Sequence, residues 1–167
     1  GVGVMHCCSS IPGSGRVFLR VAKRVYRLSE GADLSIWGLA CTLPPYVLAA
    51  RLNQNLGWNL ARSLHDAELA LGQGGEISYF QLFFQPLEQH GLPLCMVSNR
   101  GSLGLLLPRV RGIDYVLTWP SDEGSLETRD VRSELSAVAG VDLAADLRSG
   151  LPAKVMDVLR FDPRSQA

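Results

Sequence analysis

The side chains best suited to chemistry in this sequence are two aspartates and an asparagine that stand far apart along the chain. Asp66, Asn99 and Asp114 carry the carboxylate and carbonyl oxygens that Mg²⁺ and Ca²⁺ prefer as ligands. A fold that gathered them around one divalent ion would support a small metal-dependent hydrolase or nuclease using Asp66 and Asp114. This is one of three functions that the sequence leaves open.

The compact motifs of catalysis and cofactor binding are missing from the sequence. There is no GxSxG, HExxH or GxxxxGK[ST] string, and the glycines at residues 72–75 lack the Lys-Ser/Thr pair of a phosphate loop. The four cysteines show no CxxC spacing and no nearby histidine pair, which favours reduced thiols in a cytosolic protein over zinc or disulfides. We therefore predict no catalytic residue, no metal and no cofactor.

Composition and charge describe an ordinary globular chain with a basic amino-terminal arm. The 167 residues are 47% hydrophobic and 19% charged, enough to bury a core without a disulfide or a metal. The net charge is zero, but residues 1–28 are basic and contain no acid, so the body is mildly acidic. We expect no nucleic acid on the body, while the arm could bind one. No apolar run reaches the roughly 18 residues of a membrane span, so no membrane partner is expected.

The hydrophobic pattern predicts one α+β domain. Residues 1–24 are expected to form a disordered or weakly ordered basic extension, residues 25–162 the domain and residues 163–167 a tail. Helical spacing predicts one helix from Pro45 to a stop at Gly57 and a second over residues 126–139, capped by Ser125. Strands are expected at residues 17–28, 35–42, 59–64, 77–87, 92–98, 113–119 and 141–147, with a helical continuation also open for the last. The fold class is a largely antiparallel sheet of about six strands, with two main helices packed on one face.

Several strings resemble the bacterial IPExxxVDY family. "LPRVRGIDY", at residues 107–115, resembles its signature: Pro108, Asp114 and Tyr115 match, whereas Arg109 replaces the glutamate. A tyrosine-started helix ending in Leu-Asn, an Asn-Leu-x-Arg strand and a Ser-Asn loop occur in the same order. The resemblance covers roughly residues 25–161. It implies a small bacterial α+β protein and no particular activity.

Asp114 stands in an otherwise apolar strand. Because side chains alternate along a strand, the odd-numbered residues from 113 to 119 should share one face, and Asp114 the other, less apolar face. The structural interpretation is that Asp114 accepts backbone N–H groups from the turn at residues 109–112 or pairs with Arg109 or Arg111. We expect one of these arginines within hydrogen-bonding distance, and Asp114→Asn to destabilise the domain by about 1–3 kcal/mol. The alternative is that the carboxylate serves a binding site.

Six polar residues are candidates for a binding surface: Asn53, Asn99, Arg100, Arg109, Asp114 and Tyr115. The favoured function is a non-catalytic protein-interaction or accessory module in the cytoplasm, with a protein partner and with a homodimer left open. An RNA-associated accessory protein is the alternative, supported by the basic arm and by the arginines at positions 100, 109 and 111.

Overall fold

A computed structural model of the chain describes residues 16–21, 24–29, 34–71, 74–88, 91–121, 126, 129–147, 151–160 and 163. Within these residues there are ten strands and three helices. In chain order they are β1 (Arg16–Val21), β2 (Arg24–Ser29), β3 (Leu34–Cys41), α1 (Pro45–Leu56), β4 (Ala61–Arg62), β5 (Ala67–Leu71), β6 (Glu76–Phe80), β7 (Leu82–Gln85), β8 (Leu94–Ser98), β9 (Tyr115–Pro120), α2 (Val131–Ser136), β10 (Val141–Asp146) and α3 (Ala153–Leu159).

The central element is a six-stranded antiparallel sheet. Its strand order is β10-β3-β9-β8-β7-β4, and two-stranded hairpins β1-β2 and β5-β6 accompany it. Tyr115, the first residue of β9, lies opposite Leu39 of β3 on one side and Ser98 of β8 on the other. The predicted fold class, a single α+β domain with a six-stranded antiparallel sheet, is confirmed.

One face of the sheet is covered by α1 and α2. Pro45 starts α1, as the sequence predicts, and Gly57 ends it with φ of 74°, donating its N–H to Asn53 O. Leu48 and Leu52 of α1 pack in the same core as Leu117 and Trp119 of β9. The buried residues of α2 complete this first core, because Val131 and Leu135 face the sheet.

The opposite face of the sheet is also buried, which contradicts the expectation that the helices cover one face. The β5-β6 hairpin and α3 lie on it, and Val155 and Val158 of α3 contribute to a second core. Val116 is 0% and Thr118 1% exposed, so the face that we predicted to be less apolar is fully covered. The prediction was wrong because α3 was not recognised in the sequence.

Residues 77–87, predicted as one strand, belong to two. β6 pairs with β5 in a separate hairpin, whereas β7 pairs with β8 and β4 in the main sheet. Gln81, between them, is exposed and its carbonyl accepts the Ser98 N–H. The chain therefore stays extended and changes its pairing partner at Gln81, which an apolar run alone does not reveal.

The second helix and the last strand also differ from prediction in detail. α2 is shorter than residues 126–139, and Asp130 caps it by accepting the Ser133 N–H. Hydrogen bonds from the Ser133 hydroxyl and from this N–H lower the pKa of Asp130. Ser125, the predicted cap, lies outside the described residues. β10 is a strand, as the alternation favours. A bulge between Val141 and Leu143 leaves Leu143 52% exposed and buries Ala144 instead.

The amino-terminal extension is described only in part. Residues 1–15 lie outside the described residues, whereas residues 16–21, which we assigned to that extension, form β1 and pair antiparallel with β2. None of the helices in the described part of the chain is long and apolar enough to cross a membrane.

Candidate functional site

A cleft of about 510 Å³ opens where β3, β8 and β9 meet the start of α1. Its walls come from the end of β3, the loop that leads into α1, the end of β8 and the start of β9. Three of the six predicted binding residues, Arg100, Asp114 and Tyr115, line this cleft. Asn53, Asn99 and Arg109 are not among its lining residues.

Asp114 is held by the strand beside it. Its Oδ2 accepts the Cys41 N–H at 2.8 Å, its own N–H donates to Leu39 O, and its carbonyl accepts the Asn99 N–H. The predicted contact with an arginine is absent, because no hydrogen bond or ion pair among the described residues joins Asp114 to Arg109 or Arg111. The donor is an amide at the end of β3, and it does not come from the turn at residues 109–112.

Tyr115 is hydrogen-bonded to the loop that leads from β3 into α1. Its hydroxyl donates to Leu43 O. Burial raises the pKa of Tyr115 to about 12, with smaller contributions in the same direction from Cys41 and Asp114. Burial likewise raises the pKa of the Cys41 thiol. Asp114 and Tyr115 therefore anchor the β3-α1 loop, which forms one wall of the cleft.

Asn99 is fully buried, and its side chain is occupied by the backbone. Its Nδ2 donates to Ile113 O at 2.6 Å and its Oδ1 accepts the Leu107 N–H at 2.7 Å. The Asn99 carbonyl also accepts the Leu106 N–H. A side chain with both ends bonded in this way fixes the β8-β9 connection, residues 99–114, and offers nothing to a ligand.

Asn53 plays a comparable part on α1. Its amide exchanges two hydrogen bonds with the backbone of Leu60, donating to the carbonyl at 3.0 Å and accepting the N–H at 2.8 Å. This bond pair ties the end of α1 to the segment before β4. It lies outside the cleft.

The metal-site hypothesis receives no support from the geometry. Asp66 pairs with Arg62 at 2.5 Å, and the Asn99 amide is bonded to the backbone. In the described ranges no three His, Cys, Asp or Glu side chains come close enough to hold a metal ion. Asp66 does not line the cleft that contains Asp114.

The sequence did not single out several residues that line the cleft: Cys41, Thr42, Leu43, Pro44, Pro45 and Gln81. Ser98 also lines it and belongs to the Ser-Asn loop noted in the sequence. The signal for Gln81 was present, because it is a polar residue within an aromatic run. The two prolines at positions 44 and 45 predict the start of a helix, but the sequence does not show which strands end beside it.

A second, smaller cavity of about 320 Å³ lies beside α2. Trp37, Trp119 and Arg129 contribute to its lining, and the Arg132 guanidinium lies 5.7 Å from the centre of the Trp37 ring. Arg129 is already paired with Glu134. Residues 122–125 and 127–128, on either side of its lining residue Leu126, lie outside the described ranges.

Comparison of the chain with protein-family models, with curated proteins and with solved structures finds no match.

Proposed function

We propose that the protein is a non-catalytic protein-interaction or accessory module that docks its partner on the β8-β9 connection. The observation that supports the proposal most strongly is that this long connection is held in place by hydrogen bonds. It runs for 16 residues without a helix or strand of its own, yet Asn99 and Asp114 fasten both of its ends. Long loops without secondary structure are uncommon in compact domains, and those that are held in place usually serve binding.

The connection is also fastened in its middle, against β6. Leu103 N–H donates to Ser78 Oγ, and the Ser102 N–H donates to Tyr79 O. A Cβ at Gly101 would lie 2.5 Å from a ring carbon of Phe80, so only glycine permits this close approach. A surface held this firmly would lose little conformational entropy when a partner binds.

The exposed side chains of the connection define the partner's chemistry. Leu103 is 53% and Leu105 44% exposed, and Tyr79 is exposed on the adjoining strand. Arg100, Arg109 and Arg111 are exposed, and the sequence has no acidic residue from position 89 to 113. Exposed apolar and basic side chains on one connection suit an acidic protein segment that carries apolar residues of its own.

A photo-crosslinking residue at position 103 tests this proposal in the full chain. The matched control is position 143, because Leu143 is exposed to the same degree on β10. We expect the residue at position 103 to form specific adducts with cellular proteins. Unlabelled wild-type protein, added as a competitor, should suppress these adducts more effectively than the Leu103→Ser, Leu105→Ser double variant does. Equal adducts from positions 103 and 143, or equal competition by the double variant, would reject the β8-β9 connection as the docking surface.

We also propose, as the resemblance implies, that the chain is a bacterial protein of the IPExxxVDY family, and that it is cytoplasmic. The support for the family is that the matching aspartate and tyrosine have one shared task, the anchoring of the β3-α1 loop. The support for the cytoplasm is that Cys41 and Cys95, the two cysteines in the described part of the chain, form no disulfide. Alkylation of these thiols under denaturing conditions, without reductant, in freshly lysed cells tests the compartment.

The RNA-associated alternative rests on the same exposed arginines. If Arg100, Arg109 and Arg111 contact phosphates, replacing all three by glutamine should weaken RNA binding and reduce the slope of log affinity against log salt by about 2. RNA binding that is insensitive to both salt and this triple variant would exclude the alternative for this surface.

A further inference from the structure

We propose that the 510 Å³ cleft binds a small zwitterion, an α-amino acid or a short peptide, through the Arg100 guanidinium and the Asp114 carboxylate. This binding site shares Arg100 with the proposed docking surface but does not use Leu103 or Leu105. The inference begins with the two opposite charges that line one cleft.

Neither charge is neutralised within the described part of the chain. The ion pairs described there are Arg62 with Asp66 and Arg129 with Glu134, and they include neither Arg100 nor Asp114. The two groups also form no ion pair with each other. A ligand with one charge would satisfy one of them and leave the other exposed to a like charge, whereas a ligand with a carboxylate and an ammonium group satisfies both.

The bond already made by Asp114 leaves part of its carboxylate for a ligand. Oδ2 accepts the Cys41 N–H, which sets the orientation of the carboxyl group, and Oδ1 has no described partner. An ammonium group is a compact donor that a single carboxylate oxygen accepts well. Arg100 presents a planar fork of donors that matches both oxygens of a ligand carboxylate.

The remaining lining is typical of a small-ligand site. Thr42, Gln81 and Ser98 add hydroxyl and amide groups, while Leu43, Pro44 and Pro45 form an apolar wall. The volume lies within the range of about 300–1,000 Å³ that small-molecule pockets span. The walls are preformed, because Asp114 and Tyr115 fasten Cys41 and Leu43.

The start of α1 also favours a ligand that carries a negatively charged group. Pro44 and Pro45 line the cleft, and α1 has no capping side chain and no acidic residue in its first turn. The partial positive charge of this helix end therefore acts on the cleft together with the charge of Arg100.

Isothermal titration with individual common amino acids and with alanyl-alanine tests the proposal on the full chain. Each probe is paired with its amide, which lacks the carboxylate, and with its N-acetyl derivative, which lacks the ammonium group. We expect at least one zwitterion to bind, and both of its derivatives to bind at least about tenfold more weakly because each leaves one charge unmatched. Stronger binding by the amino acid or by the dipeptide identifies the class of ligand.

Arg100→Gln should weaken binding of the zwitterion about tenfold and should not weaken binding of its amide, which has no carboxylate for Arg100 to bind. Arg109→Gln is the matched control, because Arg109 is exposed outside the cleft, and should change neither. The double variant of Leu103 and Leu105 should retain amino-acid binding, which separates this proposal from protein docking. No binding by any probe at millimolar concentration, equal binding by the derivatives, or an equal effect of Arg109→Gln would overturn it.

Discussion

At the scale of single residues, Asp114 and Tyr115 act on the backbone of another element. Adjacent side chains in an extended segment point to opposite faces, yet Asp114 bonds to the last residue of β3 and Tyr115 to the loop that follows it. Asp114 accepts the amide of Cys41, and Tyr115 donates to the carbonyl of Leu43, so Thr42 is held from both sides. The same two bonds place Pro45, the first residue of α1, at the edge of the cleft.

Replacing Tyr115 by phenylalanine removes the hydroxyl that bonds to Leu43. We expect a loss of about 1 kcal/mol in the free energy of unfolding at pH 8, the usual net value of one such hydrogen bond. Because the folded protein raises the pKa of Tyr115 from its ordinary value of 10.0 to about 12, this residue's contribution to stability is fully present below pH 10 and declines between pH 10 and 12.

Urea unfolding of wild type and Tyr115→Phe at pH 8 and pH 11 measures this effect. The difference in unfolding free energy between the two proteins should be smaller at pH 11, because Tyr115 is then ionised in most unfolded chains but not in the folded protein. The other titrating groups are shared by both proteins and cancel in the comparison. A difference that is the same at both pH values would show that Tyr115 ionises alike in the folded and unfolded chain.

Replacing Asp114 by alanine should destabilise the domain more than replacing it by asparagine. The partner of Asp114 is an amide N–H and not an arginine, and asparagine keeps a carbonyl oxygen that accepts from Cys41. We therefore expect Asp114→Asn to be nearly neutral, which revises the cost predicted from the sequence, and Asp114→Ala to destabilise the domain by about 1–3 kcal/mol. Chemical denaturation of the two variants compares them directly. Equal losses would point to the charge, and not to the hydrogen bond, as the stabilising feature.

At the scale of elements, one buried side chain organises the whole β8-β9 connection. Asn99 bonds to the backbone at Leu107 and at Ile113, which lie on either side of the turn that carries Arg109 and Arg111. Asn99→Ala leaves a buried N–H and a buried carbonyl unpaired, so we expect a loss of about 2–5 kcal/mol in the free energy of unfolding.

Hydrogen exchange distinguishes this local role from general destabilisation. In Asn99→Ala the Leu107 amide should lose far more protection than amides in α1, such as that of Leu52. Asn53→Ala, which removes a similar pair of bonds at Leu60, is the matched control and should leave the Leu107 amide protected. Protection at Leu107 that survives Asn99→Ala would assign the order of the connection to other contacts.

The elements that local sequence signals define were predicted, and those that depend on distant packing were not. α1 was predicted with its limits because Pro45 and Gly57 mark them, and β3, β8 and β9 because their residues suit strands. α3 was missed, since its seven residues give too short an apolar pattern. The partner change at Gln81 and the bulge after Val141 depend on pairing that no local pattern encodes.

Local sequence signals also predict part of the candidate site, and distant packing determines the rest. The sequence marks the strand ends beside Arg100, Asp114 and Tyr115, so it predicts that these residues lie at the ends of strands. Their neighbours Cys41 and Gln81 enter the cleft because β3 lies beside β9 and because the chain leaves the β5-β6 hairpin there. The sequence alone does not give this strand order.

At the scale of the whole molecule, the two cores share the central strands. Consecutive residues of β9 alternate between them: Leu117 belongs to the core under α1 and α2, and Val116 to the core under α3 and the β5-β6 hairpin. β3 and β8 divide their side chains in the same way. If one core came apart, the shared strands would lose side-chain contacts that also fix their register, and the other core would be weakened. We therefore expect the domain to unfold as a single unit.

The tryptophans allow a direct test of this coupling, because all three report on one core. Trp58 and Trp119 are buried under α1 and α2, with ring centres 6.2 Å apart, and Trp37 packs against the same core. Val158 lies in the other core, on α3. Val158→Ala should destabilise the domain by about 1–3 kcal/mol, and the urea transition followed by tryptophan fluorescence should shift together with that followed by circular dichroism.

Leu64→Ala is the control for Val158→Ala, because Leu64 is 96% exposed and its removal should move neither transition. The shift at the tryptophans would arise through β3, β8 and β9, since Val158 and the tryptophans belong to different cores. If the fluorescence transition of Val158→Ala stays at the wild-type midpoint while circular dichroism shows an earlier loss, the layer formed by α3 and the β5-β6 hairpin unfolds by itself. The shared strands would then support two separate folding units.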